Sequence, residues 1–563
     1  MVQQVAAIGI DAAEWPELER LMGSGRLPNL ARLRSGAIEV PLENTIANRP
    51  EEAWTSFVYG EAPHRAGHWS SLTFDPATYR PYRRGTFLGR PVLSEVSERS
   101  LWFDVPKHAI EVEQPGVQVT GWGAHAPSFP RASSPAGLLT ELDHRFGPHP
   151  ALNEDFQNAW YQVDYLEGLS QRLVEGAGVR GSATRWLLEA NPGWDLFVTA
   201  MSETHSGGHH LWHGVDPSHP LAPTPTAVTA GRLMGEIHDA VDAALGVVLD
   251  ALPADATVVV FAVHGMKTNS SDVAAFLLLP ELLHRLDGRP PRLVGPDQAR
   301  WAAAGHPPIV PDPRRRPMAF ARDHFDDDLL KRWRRRITTG PLMDIERAWR
   351  RRTGRPPGNR RAWRGPHEAP PEADLSAPAS ARLEEGAEDF ANLWYRQQWP
   401  MMRAFALPSF GEGRVRINLE GREAHGLVPA DRYVATCQEI ESVLRETVDP
   451  RTGGSVVREV TWERRHDPFD PLAPDADLII QWSDAVDAFH HPRLGPIGPM
   501  PALRTGEHSN RGFALVAGPG IERTVLPNQP AHALPAIIGG LLSTEGPASG
   551  ASVAAASARA VTP

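Results

Sequence analysis

Four short segments constrain this chain more than anything else in it: IGID at 8–11, SETHSGGHH at 202–210, FAVHGM at 261–266 and GEH at 506–508. Each follows or adjoins an apolar, β-branched run, so each is expected at or beside a strand end. In open α/β sheets, ligands gather outside the carboxyl ends of the strands. Asp11, His205, His209, His264 and His508 can therefore converge, although Asp11 and His508 stand near opposite ends of the sequence.

The rest of the pattern fits such a sheet. Buried strands are expected at 5–10, 194–202, 257–263 and 511–518, and helices after Asp11 to about Arg34, at 172–190 and at 226–251. Strands alternating with helices imply an α/β fold, a mostly parallel sheet sandwiched by helices. Residues 286–412 interrupt the rhythm: they are rich in proline and arginine, poor in strand signals, and read as an inserted cap. A smaller α+β subdomain is expected over 413–482, with a helix at 430–446 and a strand at 475–482. The core would then comprise 1–285 and 483–544, followed by a small, polar, disordered tail at 545–563.

Composition excludes several classes of function. The net charge of −11 argues against general nucleic-acid binding, with one local exception, the Arg/Trp-rich run over 331–365. No apolar run approaches the roughly 18 residues of a membrane helix. The first residues enter a strand without a basic leader, so no signal peptide is expected, and a cytoplasmic location follows. A single cysteine, Cys437, excludes an intramolecular disulfide and a cysteine-rich metal site.

His205 and His209 are four residues apart, a spacing that puts both imidazoles on one helical face. Gly207 and Gly208 lie between them and weaken a helix, so a loop-to-helix entry is expected. With His508 they make three neutral imidazoles and leave an open coordination position, as catalytic zinc requires. An all-nitrogen set favours one zinc ion, with iron or nickel as alternatives, over magnesium or calcium. Asp11 directly follows a buried strand, where a carboxylate is costly unless it pairs, caps the next helix or ligates a metal. His264 ends a strand in the same way.

Taken together, these segments resemble the type I phosphodiesterase/nucleotide pyrophosphatase branch of the alkaline phosphatase superfamily. The likeness takes in IGIDAAEW, GRLPNLARLRSGA (25–37), PLENTIANRPEEAWTSFVYGEAPHRAG (41–67), SETHSGGHHLWHGVDPSHP (202–220), FAVHGM, INLEGREAHGLV (417–428) and TGEHSNRGFALVAGPGI (505–521). It implies an alkaline phosphatase-like core with a bimetal site that cleaves phosphate esters. Carried over residue by residue, one metal would sit on His205, His209 and His508, with His205 replacing an aspartate. The second would need Asp11, a Thr or Ser nucleophile and an Asp-His pair. Here the pair reads Val263-His264, and a gapless alignment puts Pro50 at the nucleophile.

Proline has no hydroxyl and forms no covalent intermediate. Glu51 and Glu52, beside the vacated position, become candidates for a general base or a ligand, against the plainer expectation of a solvated acidic turn. The expectation is therefore one metal retained and one lost. The enzyme would act on a small anionic ester by hydrolysis or group transfer, with Asp11 and His264 as an acid/base or orienting dyad. A pseudoenzyme serving as a binding module and a non-hydrolytic tailoring enzyme of specialised metabolism are the alternatives.

Overall fold

The computed structural model describes residues 3–45, 52–70, 72–83, 91–97, 99–111, 114–123, 130–152, 158–313, 316–325, 372–373, 390–409, 411–543 and 553. Pro50, Glu51, the Arg/Trp-rich run at 331–365 and the tail at 545–563, Val553 excepted, lie outside the described residues.

Among the described residues, nine strands form the main sheet: β1 (Val5–Ile10), β2 (Ile38–Glu43), β3 (Ser100–Phe103), β4 (Gly116–Thr120), β5 (Ala132–Ser134), β6 (Leu196–Met201), β7 (Thr257–Ala262), β8 (Arg511–Ala517) and β9 (Thr524–Val525). Their spatial order is β9-β2-β8-β7-β1-β6-β3-β4-β5. β1 lies at the centre, parallel to β6 and β7. Pairings β3–β6, β3–β4 and β2–β9 are also parallel, so the sheet is mostly parallel, as the alternation of strands and helices implies. β8 runs antiparallel between β7 and β2. β5 is also antiparallel, to β4, but it is the reversal of β8 that matters for the site, because the residues that precede β8 enter at the edge where β1, β6 and β7 end.

Helices cover both faces, which is why β1 reads as one unbroken apolar run. The relevant ones are α1 (Trp15–Gly23), α2 (Ala53–Tyr59), α3 (Val163–Ala190), α4 (Glu203–Leu211), α5 (Ala227–Leu249), α6 (Tyr433–Glu446) and α7 (Leu534–Leu542). Ala6, Ile8 and Ile10 pack on one side, in a core with Leu169 and Leu173 of α3 and Leu233 and Ile237 of α5. Val5 and Ala7 face the other, in a core with Trp54 and Phe57 of α2 and Ile537 and Ile538 of α7. Among the described residues, no helix is long and apolar enough to cross a membrane.

A four-stranded antiparallel sheet, Ala404–Ala406, Gly413–Ile417, Leu478–Trp482 and Val457–Trp462 in that spatial order, packs with α6 around a separate core. This small sheet takes in residues 404–406 from the segment read above as a cap.

Gly9 is required by close approach. A Cβ built there would lie 2.6 Å from Cη2 of the buried Trp54, a rigid ring with nowhere to retreat. Replacing Gly9 by alanine should therefore cost about 1–3 kcal/mol through overpacking. The measurement is a urea unfolding curve: the midpoint should fall while the slope stays constant, and an unchanged midpoint would contradict the packing described.

Candidate functional site

The ends of β1, β6 and β7 are level, since Ile10 pairs with Met201 and Gly9 with Phe261. Asp11 leaves β1 there and is 2% exposed. Ala12 follows with φ +57°, a left-handed turn uncommon for a residue with a Cβ. The helix after it begins at Trp15 with Glu14 as its N-cap residue, so Asp11 does not cap it. Its carboxylate instead meets three side chains. Trp54 Nε1 donates to Oδ1 at 2.7 Å, His205 Nδ1 lies 2.7 Å from Oδ2, and His264 Nε2 lies 3.5 Å from Oδ1. Burial pushes the Asp11 carboxyl up, but His205, His264 and the Trp54 hydrogen bond outweigh it and hold it well below the usual range.

His205 and His209 lie in α4, which begins directly after β6 and runs through both glycines. The expected loop-to-helix entry is thus not observed. The reason is packing: a Cβ on Gly207 would meet Ile237 Cδ1 at 2.8 Å, and one on Gly208 would meet Met266 Cε at 2.6 Å. These glycines let α4 sit tightly between α5 and the strand Gly265–Thr268. That strand pairs with Gly506–Ser509, in register Met266 with His508, and so His508 is delivered to the same place. Glu14 fastens this strand pair, accepting from Met266 N (3.1 Å) and Ser509 Oγ (2.9 Å).

The outer nitrogens fix the tautomers. His205 Nδ1 donates to the Asp11 carboxylate, and His209 Nδ1 donates to the Gly506 carbonyl at 2.9 Å. Their Nε2 lone pairs therefore point inward. His209 Nε2 is 3.1 Å from His205 Nε2, and His508 Nε2 is 3.2 Å from the same atom. Bare lone pairs repel at that distance, whereas ligands about 2.0–2.1 Å from a tetrahedral zinc sit about 3.3 Å apart. The donor set fits a metal ion. His508 is held well below its ordinary pKa by burial and by the neighbouring His264 and His205, which disfavours a proton as the alternative occupant.

His264 completes the cluster. Its ring lies 4.3 Å from that of His508, and ligand atoms of His205, His264 and His508 all lie within 4.8 Å of one another. Four imidazoles and Asp11 are thus brought together. Val263 is fully buried in the apolar core beneath, and its carbonyl accepts from Asn44 Nδ2 at 2.8 Å. Glu52 belongs to a different cluster. It is 1% exposed, with Lys107 Nζ 3.1 Å from Oε1, and with His68 Nε2 (3.0 Å) and Thr55 Oγ1 (2.8 Å) on Oε2. The solvated acidic turn expected of Glu52 is therefore replaced by a buried ion pair. Burial raises the Glu52 carboxyl, yet Lys107 and His68 hold it well below the usual range.

Sequence reasoning missed the frame behind the imidazoles. Arg180 of α3, fully buried, bridges Asp104 Oδ2 (2.9 Å) and Glu203 Oε1 (2.8 Å), and Glu203 also meets His149 Nε2 at 3.0 Å. Burial raises the Glu203 carboxyl, but Arg180 and His149 bring it down to about 2. The one available signal was an arginine on the apolar side of a periodic helix. Trp54 was also missed. Two further histidines after α4 are held by their own partners: His213 meets Thr226, and His219 donates to the Thr505 carbonyl while accepting from Leu221 N.

The profile of the type I phosphodiesterase / nucleotide pyrophosphatase family matches residues 5–360. That span holds Asp11, His205, His209 and His264 but ends before His508. A search of curated proteins finds no match to the sequence. Similar solved structures include phosphonoacetate hydrolase from Sinorhizobium meliloti 1021 in complex with phosphonoformate, at 13% identity, 96% coverage of both chains and TM-score 0.46. Another is murine ectonucleotide pyrophosphatase / phosphodiesterase 5, an inactive form with AMP, at 9% identity, 97% and 96% coverage and TM-score 0.44. The human counterpart of that protein gives the same values.

Removing Arg180 would leave two buried carboxylates without their cation. Arg180→Met is expected to destabilise the fold by about 3–5 kcal/mol. Chemical denaturation of the variant and wild type tests this, and a loss below about 1 kcal/mol would show that Asp104 and Glu203 find other partners.

Proposed function

The chain belongs to the type I phosphodiesterase / nucleotide pyrophosphatase family, and on that premise we propose that it is a single-metal enzyme acting on a small anionic ester, by hydrolysis or group transfer, without a Thr or Ser nucleophile. One observation carries the proposal. The Nε2 atoms of His209 and His508 lie 3.1 and 3.2 Å from that of His205, and two of the rings are anchored at Nδ1 by acceptors that turn their lone pairs inward. These three imidazoles would hold the metal, with zinc favoured and iron or nickel as alternatives. Bound there, it would polarise an ester oxygen or lower the pKa of water, carrying its full dipositive charge because no ligand is anionic.

The remaining residues have distinct roles in this proposal. Asp11 orients His205 and stays ionised, so it does not donate protons. His264, with Nε2 3.5 Å from Asp11 and its ring against His508, is the group suited to take or give a proton beside the open face. Val263, apolar and buried, supports the loss of the second metal, since neither its side chain nor its engaged carbonyl offers a ligand. Thr55, a hydroxyl near the expected nucleophile position, already donates to Glu52. Glu52, with both oxygens in an ion-pair cluster, is proposed as an anchor of α2 and not as the base.

Elemental analysis of purified protein should find about one equivalent of a transition metal. His205→Ala should lower occupancy far more than Asp11→Ala, because the first removes a ligand and the second only its support. Two equivalents per chain would overturn the single-site proposal, and none would favour a pseudoenzyme.

Generic aryl phosphodiesters and monoesters should be turned over poorly, and intact-mass analysis after incubation should reveal no phosphorylated protein. Phosphate trapped on Thr45, Thr55 or Ser56 would show that a hydroxyl nucleophile survives after all. With a substrate in hand, His264→Ala should reduce turnover about 100-fold or more if the imidazole moves a proton.

A further inference from the structure

Away from the imidazoles, a cavity of about 130 Å³ opens between the chain that follows α2 and the small antiparallel sheet. Residues from 67–81 wall one side, and Arg414 of the strand Gly413–Ile417 and the loop at 471–475 wall the other. The two sides are tied together. Trp69 Nε1 donates to the Leu472 carbonyl at 2.7 Å, and Phe74 N donates to Asp475 Oδ2 at 2.9 Å. Gly67, at φ +60°, lets Leu472 close on it, since a Cβ there would lie 3.2 Å from Leu472 Cδ2. Pro81 and Pro471 stiffen the lining. The cavity is therefore preformed, and an occupant loses little binding energy to ordering the protein.

The lining has a distinct chemistry. Among the described residues that form it, the charged ones are Arg414 and Asp475, one of each sign. Arg414 is 5% exposed, and Glu412 and Glu463 lie within electrostatic reach of it, so its charge is already offset and calls for no anionic occupant. Asp475 gives Oδ2 to the backbone, whereas its Oδ1 and the Thr73 hydroxyl take part in no hydrogen bond with the protein. Trp69 adds a flat apolar ring whose position the bond to Leu472 fixes. There is room for roughly ten waters, or for a ligand of about as many non-hydrogen atoms.

We propose that this cavity binds a neutral polyhydroxylated ring, a monosaccharide or cyclitol, whose hydroxyls bond to Asp475 and Thr73 and whose C–H face packs on Trp69. A free carboxylate oxygen accepts from ligand hydroxyls, a threonine hydroxyl both donates and accepts, and an indole covers the apolar side of such a ring. An anion would meet the Asp475 carboxylate, and a cation would find Arg414. The proposal does not depend on the metal centre. The two regions nevertheless bear on one helix: His68, between Gly67 and Trp69, lies 3.0 Å from Glu52 at the head of α2, and Trp54 of α2 donates to Asp11. The ring could therefore reach the cavity free or as the alcohol half of an ester.

The test uses full-length protein, with myo-inositol and the methyl glycosides of glucose, galactose and mannose as probes at millimolar concentration, read by saturation-transfer NMR. At least one probe should bind. Thr73→Val keeps the side chain's shape and removes its hydroxyl, and should weaken binding about two- to tenfold, the scale of one hydrogen bond. Trp69→Ala should abolish the signal. Inorganic phosphate should not displace the probe. Thermal melting checks that each variant folds, and if the alanine variant does not, Thr73→Val decides alone.

A further arm separates the two sources. Glucose phosphorylated at its primary hydroxyl, bound more tightly by zinc-loaded than by zinc-free protein and weakened by Thr73→Val, would identify the alcohol half of an ester. A neutral glycoside bound equally by both forms, with zinc adding nothing for its phosphate, would identify a separate ligand. Either result supports the cavity's assignment. Silence from every probe, unchanged binding in the folded variants, or displacement by phosphate would overturn it.

Discussion

A carboxylate buried at the end of the central strand is the constraint on which the site depends. Asp11 is removed from water on every side, and an ionised carboxylate in such a place is tolerated only if donors and cations surround it. Three elements supply them: Trp54 from α2, His205 from α4 and His264 from the end of β7. The two histidine contacts also orient imidazoles. The Asp11–His205 bond sets which nitrogen of His205 faces inward, and the Asp11–His264 approach keeps the second ring beside His508. Satisfying one buried charge thus orients the donors around it.

A second buried network anchors α4, one of those elements. Arg180 draws together Asp104 after β3, Glu203 at the start of α4 and, through Glu203, His149. Replacing such a triad by apolar groups often leaves a fold as stable, so its presence is poor evidence of stability for its own sake. Its location is more telling. It fixes the first turn of the helix on which His205 and His209 stand, and a fraction of an ångström there separates three converging nitrogens from three dispersed ones.

Much of this was legible in the sequence, for reasons that can be named. The runs before Asp11, His205 and His264 are apolar on both faces of the sheet, and such runs announce parallel strands whose ends collect ligands. His508 was legible as a member of the cluster, but its route was not: it precedes a strand, and only the reversed direction of β8 brings it to the shared edge. Gly207 and Gly208 misled because local propensity counts them as helix breakers, whereas tertiary packing against Ile237 and Met266 uses their missing side chains. Glu52 read as a polar turn since its neighbours in sequence are polar. The cation that buries it, Lys107, is far away along the chain. Arg180 was hidden among many arginines, and no spacing rule distinguishes a buried one from a solvated one.

The reversal of β8 also bears on how the centre comes into being. His205 and His508 are separated by 303 positions, so the last imidazole is synthesised long after the strands that await it. A nascent or truncated chain ending between His264 and His508 holds His205, His209 and His264 but neither His508 nor the strand that inserts between β7 and β2. Contacts of such high sequence separation form late and slowly, because the loop must close before they repay its entropy. Completion of the donor set is in this sense a proofreading step: the cluster closes only in a molecule whose sheet has closed.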